Sequence, residues 1–231
     1  MTDAQAEPHH QQLRVIAIDG PAGAGKSTIA RALAARHGLE YLDTGAMYRA
    51  VTAAALHAEI TADDADAVAD LARRIVIVVS DAGVLVDGRD VTREIRSGEV
   101  TRAVSAVAAN SRVRTEMRDQ QQQWAKQRGG GVIEGRDIGS VVFPDAELKL
   151  YLTASPRTRA ERRVAESGGD VDEIERDIAR RDNYDSTRAD SPLREADGSF
   201  VVDTTGLSIA EVLDRIDALL ARPSASEGSD L

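Results

Sequence analysis

The chain has 231 residues, 42% of them hydrophobic, which suffices for a full α/β core in one domain that carries an insertion. Acidic residues (39) outnumber basic ones (29) to give a net charge of −10, which argues against an extended nucleic-acid surface but leaves room for local cationic clusters that take small anions. There is no cysteine, so disulfides, thiolate chemistry and zinc sites of the usual kind are excluded, and the four histidines show no ligand or triad spacing.

Residues 1–12 are polar and lack the apolar stretch of a secretory signal, so a disordered tail on a cytoplasmic protein is expected. Residues 223–231, rich in serine, glycine and acid, read as a second disordered tail. The longest apolar run, Ile75-Val76-Ile77-Val78-Val79, is too short to cross a bilayer. Between the tails, 13–222 reads as one domain. Its first strand, expected over 13–19, runs directly into Gly20-Pro21-Ala22-Gly23-Ala24-Gly25-Lys26-Ser27, whose G-x-x-x-x-G-K-[ST] spacing is that of a phosphate-binding P-loop. Glycines let such a loop bend until its N–H groups point inward at phosphate oxygens. Lys26 then reaches the terminal phosphates, and the Ser27 hydroxyl is placed to ligate Mg²⁺. A helix expected over 25–37 continues through Thr28, so the phosphates would also sit at a helix N-terminus. Lysine is scarce here: Lys26, Lys126 and Lys149 stand against twenty-six arginines. One of the three fills the position that needs a compact ammonium rather than a guanidinium fork.

A strand over 40–43 and a helix over 46–58 follow. The segment 60–98 breaks the alternation: an acidic helix pattern over 62–74, a strand over 75–80, a turn at Asp81-Ala82-Gly83, a strand over 84–86, and a second turn at Asp87-Gly88. Antiparallel strands joined by short turns do not belong to a parallel crossover, so a small satellite insertion is expected. Beyond it come a helix over 111–127, strands over 131–134 and 147–152, helices over 156–165 and 171–185, a strand over 199–203 and a helix over 208–220. The run Gln120–Gln123 reads as a solvated helix face, and Trp124 as a packing anchor. Alternating strands and helices predict a parallel five-stranded sheet between helical layers, with ligands at the C-terminal strand ends.

Three groups of residues lie near those ends. In Asp43-Thr44-Gly45-Ala46-Met47-Tyr48-Arg49, Asp43 or Thr44 suits a helix N-cap, and Tyr48 and Arg49 suit an acceptor cleft beside the phosphates. In Gly135-Arg136-Asp137-Ile138-Gly139, the charged pair suits a salt-bridged turn, or an Arg136 aimed at phosphate and an Asp137 that accepts from an amino-bearing base. The stretch 156–188 pairs two arginine-rich helices across Ser167-Gly168-Gly169, which suits a solvated helix pair or, with Arg181 and Asp185 on one helix face and Arg188 one turn later, a closing lid. There is neither an Asn-Lys-x-Asp guanine-reading motif nor a protein-kinase His-Arg-Asp loop. A phosphate-monoester acceptor needs no general base, because its second pKa of about 6 leaves it largely dianionic. Catalysis would then rest on positioning and charge neutralisation.

Taken with Glu94-Ile95-Arg96 and Val142-Phe143-Pro144-Asp145-Ala146, these motifs resemble those of the bacterial cytidylate kinases, a family of P-loop nucleoside monophosphate kinases. The resemblance covers about 15–220. It implies phosphoryl transfer from ATP to CMP and dCMP with Mg²⁺, on a three-layer α/β P-loop fold with a helical lid. It implies ATP on Gly20, Pro21, Ala22, Gly23, Ala24, Gly25, Lys26, Ser27 and Thr28, with Ser27 on the metal. Ser105, Arg114 and Asp137 would read the cytosine, and Asp185 with Arg181 and Arg188 would hold the sugar. Asp43, Thr44, Tyr48, Arg49 and Arg136 would surround the acceptor and its phosphate. Lys26, Arg136, Arg159, Arg163 and Arg181 would serve the transferring group. Another small-molecule P-loop kinase, such as an adenylate kinase, and a nucleotide-binding regulatory module are the competing readings. A monomer acting on small nucleotides, with neither nucleic acid nor membrane as partner, is expected.

Overall fold

The computed structural model describes residues 13–222, so the expected tails lie outside the described residues. β1 (Arg14–Asp19) is the middle strand of a five-stranded parallel sheet. The others are β2 (Tyr41–Asp43), β6 (Gly130–Glu134), β7 (Leu148–Thr153) and β8 (Phe200–Asp203), in the order β2-β6-β1-β7-β8. Alternation along β1 serves both faces of this sheet. Val15 and Ala17 enter one core with Leu42, Ala50 and Ile133, while Ile16 and Ile18 enter a second with Leu33, Leu150 and Ile216.

The helices cover those faces. α1 (Lys26–His37) and α8 (Ile209–Leu220) lie on the second core; α2 (Thr44–His57) and α5 (Ser111–Arg128) lie on the first. α2 starts two residues earlier than the spacing suggested, because Asp43 caps it by accepting from the Ala46 N–H at 2.9 Å. α3 (Ala65–Arg74) starts later than expected, at the Asp64 cap. The insertion then forms a separate antiparallel sheet of three strands, β3 (Ile77–Ser80), β4 (Gly83–Val86) and β5 (Arg89–Asp90). The sequence offered two of these; β5 has only two exposed residues, too few for any periodicity.

α4 (Gly98–Ala109) was not foreseen either. It turns into α5 at Asn110, whose side chain accepts from the N–H groups of Arg112 and Val113. The glutamine run is not a solvated face: Gln121 is 1% exposed, and Gln122 Nε2 donates to the Val142 carbonyl at 2.9 Å. Trp124 does pack, half-buried against the first core and against the backbone at Gly131. α6 (Pro156–Ser167) and α7 (Val171–Thr187) form the arginine-rich helix pair, and α7 runs two residues beyond its expected end.

Candidate active site

β1 ends at Asp19 and the phosphate-binding loop begins at once. Gly20 has φ +142°, and a Cβ there would lie 2.0 Å from the Leu152 carbonyl, so only glycine lets the loop leave the sheet at this point. Gly25, at φ 88°, is the residue before α1 and turns the chain into it. Lys26 is buried at the first helical position, and its Nζ donates to the Pro21 carbonyl at 2.8 Å across the loop. Burial, reinforced by the nearby Arg136 and Arg181, pulls its pKa down to about 7.

Glu134, at the end of the neighbouring β6, has no role in the motif reading, yet it stands beside the loop. The Tyr41 hydroxyl donates to its carboxylate at 2.5 Å, and the Ser27 hydroxyl lies near the same group. Burial raises the Glu134 pKa, Asp43 raises it further, and Lys26 opposes them. The signal that could have found it is positional: an acidic residue at the C-terminal end of the strand next to β1. Ser27 and Glu134 together offer hard oxygen donors of the kind Mg²⁺ takes. Among the described residues, no group of three or more His, Cys, Asp or Glu side chains forms a metal cage.

A second group of charged residues lies past the ends of β2 and β6. A small cavity of about 20 Å³ is lined by Tyr48, Arg114, Asp137, Val142, Asp190 and Ser191 among others. Asp137 forms a buried ion pair with Arg114, whose other terminal nitrogen donates to the Ala108 carbonyl at 3.1 Å and so ties in the end of α4. The Arg114 guanidinium lies 5.5 Å from the Tyr48 ring centroid. Burial pushes the Tyr48 hydroxyl up to about 12, so it stays protonated. Arg188 closes the same group with Asp137 and Asp185 each 3.9 Å away, and Arg188 Nε donates to Ser191 O at 2.6 Å.

Between the two sides stand Arg136 and Arg181. Arg136 Nε donates to Asp185 at 3.0 Å. Arg181 is the more exceptional: its Nε is buried with no hydrogen-bond partner, and burial plus the Arg136 charge lower its pKa to about 10. Arg49 pairs with Asp43 at 3.1 Å and also leaves its Nε buried and unpartnered. The Thr44 hydroxyl is engaged elsewhere, donating to the Glu134 carbonyl at 2.6 Å.

From the helix pair, Arg159 reaches the loop itself, donating to the Ala22 carbonyl at 3.1 Å and pairing with Asp182, which accepts from the Ala22 N–H at 3.3 Å. Arg163 does not share that contact; it is half-exposed and pairs with Glu166 at 3.3 Å. Ser105 is half-buried on α4 and is not among the residues lining the cavity.

A phosphate-binding loop at the end of a central parallel strand, with a cluster of arginines beside it, marks a P-loop kinase. The cytidylate kinase family model matches residues 16–222, and the chain belongs to that family. It is 46% identical over 217 residues to a cytidylate kinase of Mycobacterium leprae, covering 92% of this chain and 97% of that one. It is 50% identical over 215 residues to a bifunctional pantoate ligase/cytidylate kinase of Trichormus variabilis, covering 87% of this chain but only 40% of that protein. Among solved structures, an uncharacterized protein from Eubacterium ventriosum matches with a TM-score of 0.53 at 11% identity, over 90% of this chain and 99% of that one, which bears on the fold alone.

Proposed function

We propose that this chain transfers the γ-phosphoryl group of ATP to CMP and dCMP, with ATP on residues 20–28 and the acceptor base in the cavity at Arg114 and Asp137. One observation carries the reading: Lys26, Arg136 and Arg181 are gathered in a buried space where Arg181 Nε has no protein partner. Burial and neighbouring arginines lower the pKa of both Lys26 and Arg181, which favours a ligand that brings negative charge, and two apposed phosphate groups bring it.

In the transfer, an oxygen of the CMP phosphate forms a bond to the γ-phosphorus as the bond to the β-phosphate oxygen breaks, which yields CDP and ADP. The acceptor arrives largely dianionic, so no residue need remove a proton. Lys26 exchanges its Pro21 carbonyl for phosphate oxygens, and Arg136 and Arg181 hold the two phosphates in line against their repulsion. Asp137 accepts from the cytosine amino group, with Arg114 fixing its direction. Arg159 acts from the helix pair at the loop side; Arg163 would have to leave Glu166 to join it. Mg²⁺, which Ser27 and Glu134 would hold together with ATP, neutralises charge on the phosphoryl oxygens.

The net charge of −10 supports small nucleotides rather than nucleic acid as partners. No helix among the described residues is long and apolar enough to cross a membrane. The test is ADP formation from MgATP with CMP, dCMP, UMP, AMP and GMP offered singly. Turnover is expected with the two cytidylates first; equal turnover with every acceptor, or none with any, sinks the reading.

A further inference from the structure

Asp19 is the last residue of β1, only 3% exposed, and none of the chemistry above uses it. Its carboxylate reaches across to the loop after β6. One oxygen accepts from the Ile138 N–H and the other from the Gly139 N–H, each at 2.8 Å. The backbone ladder between the two strand ends stops one step earlier, where the Gly135 N–H donates to the Ile18 carbonyl at 2.9 Å. The side chain of Asp19 thus extends that ladder past Arg136 and Asp137 and pins the backbone immediately beyond them. An ionised carboxylate is an acceptor only, and bonds from two amides to one buried carboxylate are charge-assisted and directional. Burial raises the Asp19 pKa to about 6 in spite of these amides, which still leaves the group ionised at neutral pH.

We propose that Asp19 is a positioning residue for acceptor recognition, holding the 138–139 backbone so that Asp137 stays directed at the base. This rests on Asp137 being the base-reading residue. The phosphate loop starts at the very next position, yet its shape comes from Gly20, Gly25 and the Lys26 bond to Pro21, with no hydrogen bond from the Asp19 side chain. The effect on the two nucleotides is therefore unequal.

Asp19→Asn keeps the shape of the side chain but turns an NH₂ group toward one of the two amides. In steady-state kinetics with amide hydrogen exchange, this variant should raise the KM for CMP about tenfold and hold the KM for ATP within twofold. Exchange at the Ile138 and Gly139 amides should quicken at least tenfold, while the β6 amides keep their protection. An unchanged KM for CMP, or an equal rise in both KM values, overturns the proposal. Asp137→Ala, run in parallel, separates the two readings. If it raises the KM for CMP and Asp19→Asn does not, the positioning role falls and base reading by Asp137 stands; if it leaves CMP unaffected, base reading itself falls. Should Asp19→Asn not fold, the unsubstituted enzyme decides by NMR between pH 7.5 and 5. Besides Asp19, the ionisable groups facing this point are Asp137, Lys26 and Tyr151. The Ile138 and Gly139 amide resonances moving together with a midpoint near 6 supports the bond, and their failure to move overturns it.

Discussion

At Lys26, burial sets a proton balance that ATP must change. Its free pKa of about 7 lies below the ordinary 10.5, so below pH 7 the ammonium is charged in both folded and unfolded chains and its burial is fully penalised. Between about pH 7 and 10.5 the unfolded chain binds more protons. The penalty therefore fades, and the contribution of this residue to stability rises with pH across that window. Phosphate beside Nζ favours the ammonium, so MgATP binding at pH 8 should take up a proton. Calorimetry in two buffers of different ionisation enthalpy reads that uptake directly, and it should vanish in Lys26→Ala. The same variant should lose turnover by on the order of 10²–10³ with its melting temperature preserved. Glu134→Gln keeps the shape beside Ser27 but removes the charge. It should raise the Mg²⁺ concentration needed for half-maximal rate about tenfold, which a metal titration at saturating nucleotides would show. Asp137→Asn presents an NH₂ group as well as a carbonyl, so it should narrow the preference for CMP over UMP, measured as a ratio of kcat/KM.

At the scale of elements, legibility followed how local the cause was. The P-loop between β1 and α1 was readable residue by residue, because spacing and glycine chemistry determine it within one turn of chain. Gly20→Ala puts a Cβ on the Leu152 carbonyl and forces φ +142° on a residue with a side chain. It should cost about 1–3 kcal/mol of stability and loosen ATP binding, as thermal denaturation and nucleotide titration would reveal. Asp43 bears out the N-cap reading, capping α2 through Oδ1 while it pairs with Arg49 through Oδ2. What stayed hidden depended on distant partners. α4 carries mixed small and polar residues whose burial arises against α2, α5, α7 and the turn at 94–96, and Gln121 is polar yet faces the interior of its helix packing. Glu134 acquires its place beside Ser27 only because β6 lies next to β1, an adjacency that the strand order supplies and the local sequence does not.

For the molecule as a whole, the central sheet divides two apolar layers that β1 and β6 feed alternately. Ile16→Ala and Ile133→Ala act on opposite layers, and each should cost about 2–5 kcal/mol in denaturant unfolding. The small antiparallel sheet is not a separate body, since Val84, Val86, Val91 and Ile95 enter the same apolar cluster as Val15 and Ile133. The arginine-rich pair is built otherwise: among the described residues neither α6 nor α7 contributes to either cluster, and their exposed faces are laced with ion pairs such as Arg157 with Glu161 and Glu175. Surface ion pairs hold little, about 0–1 kcal/mol each. The free energy of local opening should therefore be unequal across the fold. In hydrogen exchange the backbone of α6 and α7 should open far below the global unfolding cost, while β4 opens only with the main sheet. The insertion is thus welded to the frame through apolar packing, whereas the helix pair meets it through polar bonds, from Arg159 and Asp182 to Ala22 and from Arg136 to Asp185, and any swing of the pair must break these first.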